Sequence, residues 1–203
     1  DRSIAIKDLF IPMVIGGYTL KEGGEIIGKA TYYLPGEIPD PDTGKSERPA
    51  SFYMFVAQAA AVEVDTQTGK LKIVRIVTAN DCGKAINPMQ VEGQQEGGVL
   101  SMGIGSTLME EVITDNGVML NPQFSDYKIP TTLDCPDLDN YKSAIIETAH
   151  RDGPWGAKGV GEGTMVCSAP AIANAIHDAI GIRFHSIPIT PEKVLKALKE
   201  KKS

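Results

Sequence analysis

Cysteine is scarce in this 203-residue chain: Cys82, Cys135 and Cys167 are far apart, odd in number and form no C-x-x-C pair. That excludes a disulfide framework and any readable iron–sulfur or zinc site. Buried thiols are expected instead, Cys135 foremost, while Cys82 and Cys167 lie beside glycine-rich segments and are within reach of a ligand. His150, His177 and His185 stand alone, with no second ligand at helical or turn spacing. There is no dense Lys/Arg run, and the net charge is −6, which argues against nucleic acid or an anionic membrane as a partner. Lys199, Lys201 and Lys202 read as a solvated helix end. No apolar run approaches the ~20 residues of a membrane span. Asp1 opens a polar start instead of a signal peptide, so a cytoplasmic address is expected. Neither phosphate-loop fingerprint occurs, nor a G-x-S-x-G elbow.

What is present suffices for a buried core, because 42% of the residues are hydrophobic. One domain over 1–203 is expected, with a possible internal boundary in the proline- and charge-rich loop 35–49. The apolar stretch 4–15, broken by Pro12, predicts a short helix and then an extended piece. Residues 60–65 and 70–79 carry β patterning around a turn at 66–69, a hairpin signal. Asn87 followed by Pro88 predicts an N-cap and a helix over 88–108. A second hairpin is expected at 110–114 and 118–120 around Asp115-Asn116-Gly117, and a strand at 141–148. Ser168 caps a predicted helix with Ile172, Ile176 and Ile180 on one stripe and Gly181 as its stop; Thr190-Pro191 opens a last helix with Val194, Leu195 and Leu198 inward. Hairpins alternating with helices predict an α+β fold, a mixed sheet packed with helices.

Two glycine features stand out. Within the 88–108 helix, Gly93, Gly97, Ser101 and Gly105 recur every four residues and line one face with almost no side chain, so close approach of a neighbouring element or a cofactor is expected there. In "GAKGVGEG", residues 156–163, four glycines surround one acid, Glu162. Glycine walls let a reacting atom come within ~3 Å of such a carboxylate.

The order of segments is more specific than any one of them. "VEVDTQTGKLKIVRIVTANDCGKAINPMQVEGQQEGG", then "SDYKIPTT", then "GAKGVGEG" leading into "APAIANAI" resembles the C-terminal part of the molybdenum-binding subunit of the xanthine dehydrogenase and aldehyde oxidase family. The resemblance runs from about residue 50 to the C-terminus. It implies a molybdenum hydroxylase that inserts oxygen from water into a C–H bond of a purine-like N-heterocycle or an aldehyde. It also implies a glutamate base at Glu162, in the family's G-x-G-E element, and a cofactor-contacting glutamine at Gln94. Further cofactor contacts are implied at Lys158, Gly159, Val160 and Gly161. The implied cofactor is molybdenum-molybdopterin in its cytosine dinucleotide form, with no protein ligand to the metal from this chain. The 2Fe-2S and FAD groups are implied on partner chains or domains. The family's upstream pterin-binding elements are not found. The chain is therefore expected to be one lobe that completes its site with the remaining lobe of the subunit, and to be inactive alone. The competing reading is a non-catalytic assembly domain whose glycines serve packing.

Overall fold

The computed structural model describes residues 14–15, 18–19, 28–33 and 36–202. The helix expected in 4–15 lies outside the described residues, apart from a short strand at its end. The chain divides into two compact units, Asp1–Tyr33 and Leu34–Ser203. In the first, β1 (Val14–Ile15) pairs antiparallel with β2 (Tyr18–Thr19). Within the second, residues 36–50 form no helix or strand but fold back on themselves, Glu37 N–H donating to Arg48 O at 3.0 Å and Asp40 N–H to Lys45 O at 2.9 Å.

The second unit is built on β3 (Phe55–Val64) and β4 (Leu71–Asp81), joined by a turn whose chemistry is local. Asp65 accepts from the Gln67 and Thr68 N–H groups, and Gly69 takes φ +74° at the end of the turn. Alternation sets the faces of β3: Val56, Gln58, Ala60, Val62 and Val64 turn inward, and the odd positions face out. β7 (Tyr141–Ile146) adds to the other side of β4 in parallel, giving a three-stranded mixed sheet in the order β3-β4-β7. A parallel neighbour requires a long crossover, and residues between β4 and β7 supply it as α1 (Pro88–Glu96), a π-helical segment (Gly97–Gly103), α2 (Ile104–Leu108) and a small hairpin. That hairpin pairs β5 (Thr114–Asp115) with β6 (Val118–Met119), shorter than predicted, around Asn116 and Gly117 at φ 47° and 81°. After β7 come α3 (Gly163–Val166), α4 (Ser168–Ile180) and α5 (Pro191–Lys202).

The core lies between the helices and one sheet face: Ile73, Ile76, Val99, Ile104, Leu108, Tyr141, Ile172, Ile176, Ile189 and Val194. α4 packs on β3 with Ile172 and Ile176 fully buried, and Gly181 at φ +67° ends it. Lys201 reaches back to Ile180 O at 2.7 Å, so it serves a helix end other than its own.

Two expectations need correcting. Ser168 does not cap α4: α3 runs almost directly into it, and the Ser168 hydroxyl donates to Gln58 Oε1 at 2.8 Å. The helical run 88–108 is not one α-helix, because its centre winds as a π-helix. The four-residue glycine stripe does not form one contact face. A Cβ on Gly93 or Gly97 would meet nothing within 4 Å, Ser101 is exposed, and Gly105 is closed off by Glu110 and Pro130. The close approaches fall instead on Gly98 and Gly103, five apart, where an added Cβ would overlap the Thr164 and Ser168 hydroxyls.

Candidate functional site

The glycine-rich segment is tied to the end of β4 before it reaches Glu162. Gly83 and Ala157 form an antiparallel bridge, Lys158 N–H donates to Cys82 O at 2.8 Å, and Gly156 O accepts from both Lys84 and His150 N–H at 2.9 Å. Gly83 at φ +62° and Gly156 at φ +87° let the two backbones meet. Across this junction Lys158 Nζ lies 2.8 Å from Asp81 Oδ2, with side-chain exposures of 7% and 11%, and 5.7 Å from the Phe55 ring centroid. Burial opposes the Asp81 charge, but hydrogen bonds from Lys158 and from the Gly83 and Thr148 backbones outweigh it and hold the carboxyl at about 2, against 3.8 ordinarily.

A carboxyl depressed in the folded state contributes stability that is present above pH ~4 and lost as pH falls through about 2. Asp81→Asn is therefore expected to cost about 2 kcal/mol at neutral pH. The gap in urea midpoint between native and variant should close on acidification from pH 7 to pH 2; a gap that stays constant would contradict this role for the pair.

The glycines of the segment then divide. Gly159 and Gly163 seat the Met54 thioether, with Phe52 beside Gly159. Gly161 is exposed, and the nearest atom to a Cβ there would be Gln94 Oε1 at 4.0 Å. Packing therefore accounts for Gly98, Gly103, Gly159 and Gly163, but not for Gly93, Gly97 and Gly161, which border open space.

Gln94 is exposed on α1, which starts where Asn87 Oδ1 accepts from Gln90 N–H at 3.2 Å. It lines an open groove of about 640 Å³ with Cys82, Lys84, Met89, Gln90 and Val160. Glu162 is also exposed; it sits at the start of α3 without capping it by a side-chain hydrogen bond, and it does not line the groove. The structure thus brings Gln94 beside Gly161 and the backbone of Glu162, with Val160 on the groove wall. Lys158 borders the groove, but its ammonium is committed to Asp81. Cys82 is buried there, and burial first, then the Glu147 and Asp81 carboxylates, push its thiol up. Cys135 and Cys167 are half-buried, each against a backbone carbonyl. Among the described residues no three His, Cys, Asp or Glu side chains gather as a metal-binding group.

Sequence reasoning missed Thr164. It is fully buried, and its hydroxyl lies 3.2 Å from Gln94 O and 3.0 Å from Gly161 O. Its only local signal was a hydroxyl directly after the glycine-rich run.

A groove with amide side chains at its rim and bare glycine backbone at Gly93 fits a flat group with hydrogen-bonding edges. The chain belongs to the family described as the molybdopterin cofactor-binding domain, which it matches over residues 4–136, and so to the molybdenum hydroxylases. It is 34% identical over 189 residues to a probable xanthine dehydrogenase subunit of Bacillus subtilis, covering 93% of this chain and 24% of that protein. A putative xanthine dehydrogenase molybdenum-binding subunit of Escherichia coli is 40% identical over 133 residues, 64% of this chain and 17% of that one. Among solved structures, the aldehyde oxidoreductase of Desulfovibrio gigas superposes with a TM-score of 0.68 at 33% identity, covering 79% of this chain and 17% of that one. Quinoline 2-oxidoreductase of Pseudomonas putida 86 gives 0.65 at 39% identity, covering 70% and 18%. The chain spans a quarter or less of these relatives' lengths. Among the described residues no helix is long and apolar enough to cross a membrane.

Proposed function

We propose that this chain is one lobe of the molybdenum-binding subunit of a hydroxylase acting on a purine-like N-heterocycle or an aldehyde, with Glu162 as general base and Gln94 as a cofactor hydrogen-bonding group. The observation that carries the reading is the juxtaposition of Gln94 with the Gly161–Glu162 backbone beside an open groove. When bound, the molybdenum cofactor, in its cytosine dinucleotide form, supplies the two-electron oxidation by which oxygen from water enters a C–H bond. This chain's residues do the rest on their side of the cleft. Gln94 presents its amide to a polar edge of the cofactor, while Val160, Gly161 and the neighbouring Lys158 and Gly159 backbone form the wall. Gly93 leaves room for close approach. Glu162 carries the proton away at its carboxylate, and the Asp81–Lys158 pair holds the segment that bears it. The remaining lobe of the subunit closes the site around Glu162, and electrons leave through 2Fe-2S and FAD groups on partner chains or domains, in the cytoplasm. The assembly-domain alternative explains the packed glycines but not the open ones.

Gln94→Ala tests the reading in the assembled complex. Removing one hydrogen-bond partner from an enclosed cofactor costs about 1–3 kcal/mol, so molybdenum and pterin per complex should fall. Unchanged content of both would count against the role of Gln94.

A further inference from the structure

Gln94 lies on α1 and Glu162 directly precedes α3, and a surface carboxylate at the start of a four-residue helix is useful only if something fixes where that helix starts. The polar contacts behind it form a continuous chain. The Thr164 hydroxyl, with a single proton, bridges Gln94 O at 3.2 Å and Gly161 O at 3.0 Å, and the Thr164 N–H donates to the same Gly161 O at 3.2 Å. The Thr164 carbonyl accepts from the Gln58 amide, whose Oε1 accepts from Ser168. Thr164 and Ser168 are both fully buried, and each fits a notch that only glycine leaves, at Gly98 and Gly103. The notches are five residues apart on the π-helical segment and the hydroxyls four apart on α3 and α4, so the local winding brings the two sets into register.

We infer that Thr164 is a positioning residue: its hydroxyl clamps the Gly161–Glu162 backbone to the Gln94 carbonyl and so sets the base against the cofactor-binding helix. The inference rests on the proposed role of Glu162. Thr164 touches neither substrate nor cofactor and acts through the backbone, and small misplacements of a reacting group are costly in rate.

The test uses the assembled, cofactor-loaded complex. Thr164→Val keeps the shape and loses the proton; kcat should fall about tenfold or more, with KM nearly unchanged and the thermal midpoint lowered only as the loss of one buried hydrogen bond requires, and Thr164→Ser should recover most of the loss in kcat. Amide hydrogen exchange at residues 161–165 should accelerate in the Val variant and not in the Ser variant. In a Glu162→Gln background, Thr164→Val should lower kcat no further. Native kcat and native exchange in Thr164→Val, with Glu162→Gln still impaired, would overturn the clamp alone. A fully active Glu162→Gln enzyme would overturn the underlying reading, and with it the purpose of the clamp, whatever the exchange shows.

Discussion

A Glu162→Gln enzyme, assembled and loaded with molybdenum, is expected to turn over at least ~10²-fold more slowly than the native enzyme, the low end of what a positioned base contributes. Glutamine keeps the size of the side chain and loses the ability to take a proton. Nothing else should change, because Glu162 is exposed at the start of α3 and makes no capping bond there. Metal content, pterin content and thermal midpoint should therefore match the native complex. The measurement is kcat per molybdenum. A Glu162→Gln enzyme with full kcat at native metal content would remove the base from this chain.

Gly98→Ala should have the largest effect on the fold near the site. Alanine is ordinarily the better helix residue by ~1 kcal/mol, so the sign must come from the surroundings. Here the new Cβ would overlap the Thr164 hydroxyl and stand 2.9 Å from the Thr164 Cβ, on a side chain with no exposed surface to move into. Overpacking of this kind costs about 1–3 kcal/mol, and it would also pull Thr164 from Gln94 and Gly161. Both a lower thermal midpoint and a lower kcat are expected. Gly93→Ala is the control: its Cβ meets nothing within 4 Å, so the fold should be as stable or more so while cofactor loading falls. If Gly98→Ala is stabilising, the Thr164 notch is not tightly packed.

The elements that read directly from the sequence are those with local causes. Asp65 and Gly69 make the first turn by their own side chain and φ, Asn87-Pro88 starts α1, and Gly181 stops α4. What did not read depends on partners far along the chain. The parallel pairing of β7 with β4 and the Asp81–Lys158 pair, 77 residues apart, leave no periodic trace. The glycine stripe misled because spacing alone does not say what packs opposite: the contacts fall on Gly98 and Gly103, against Thr164 and Ser168 much later in the chain, while Gly93 and Gly97 face open space. Gln94 was marked by family resemblance alone, whereas Glu162 also stood out as the one acid among the four glycines of residues 156–163. Thr164 was hidden because a buried threonine in a helix looks like filler until the two carbonyls it bridges are known.

Molybdenum and pterin content of the native complex that contains this chain, measured on the same sample, tests the central claim most directly. Both should be stoichiometric with the chain, and the sample should hydroxylate an N-heterocycle or an aldehyde with an artificial electron acceptor. An intact complex holding neither molybdenum nor pterin would contradict the account and leave the groove beside Gln94 as an assembly surface.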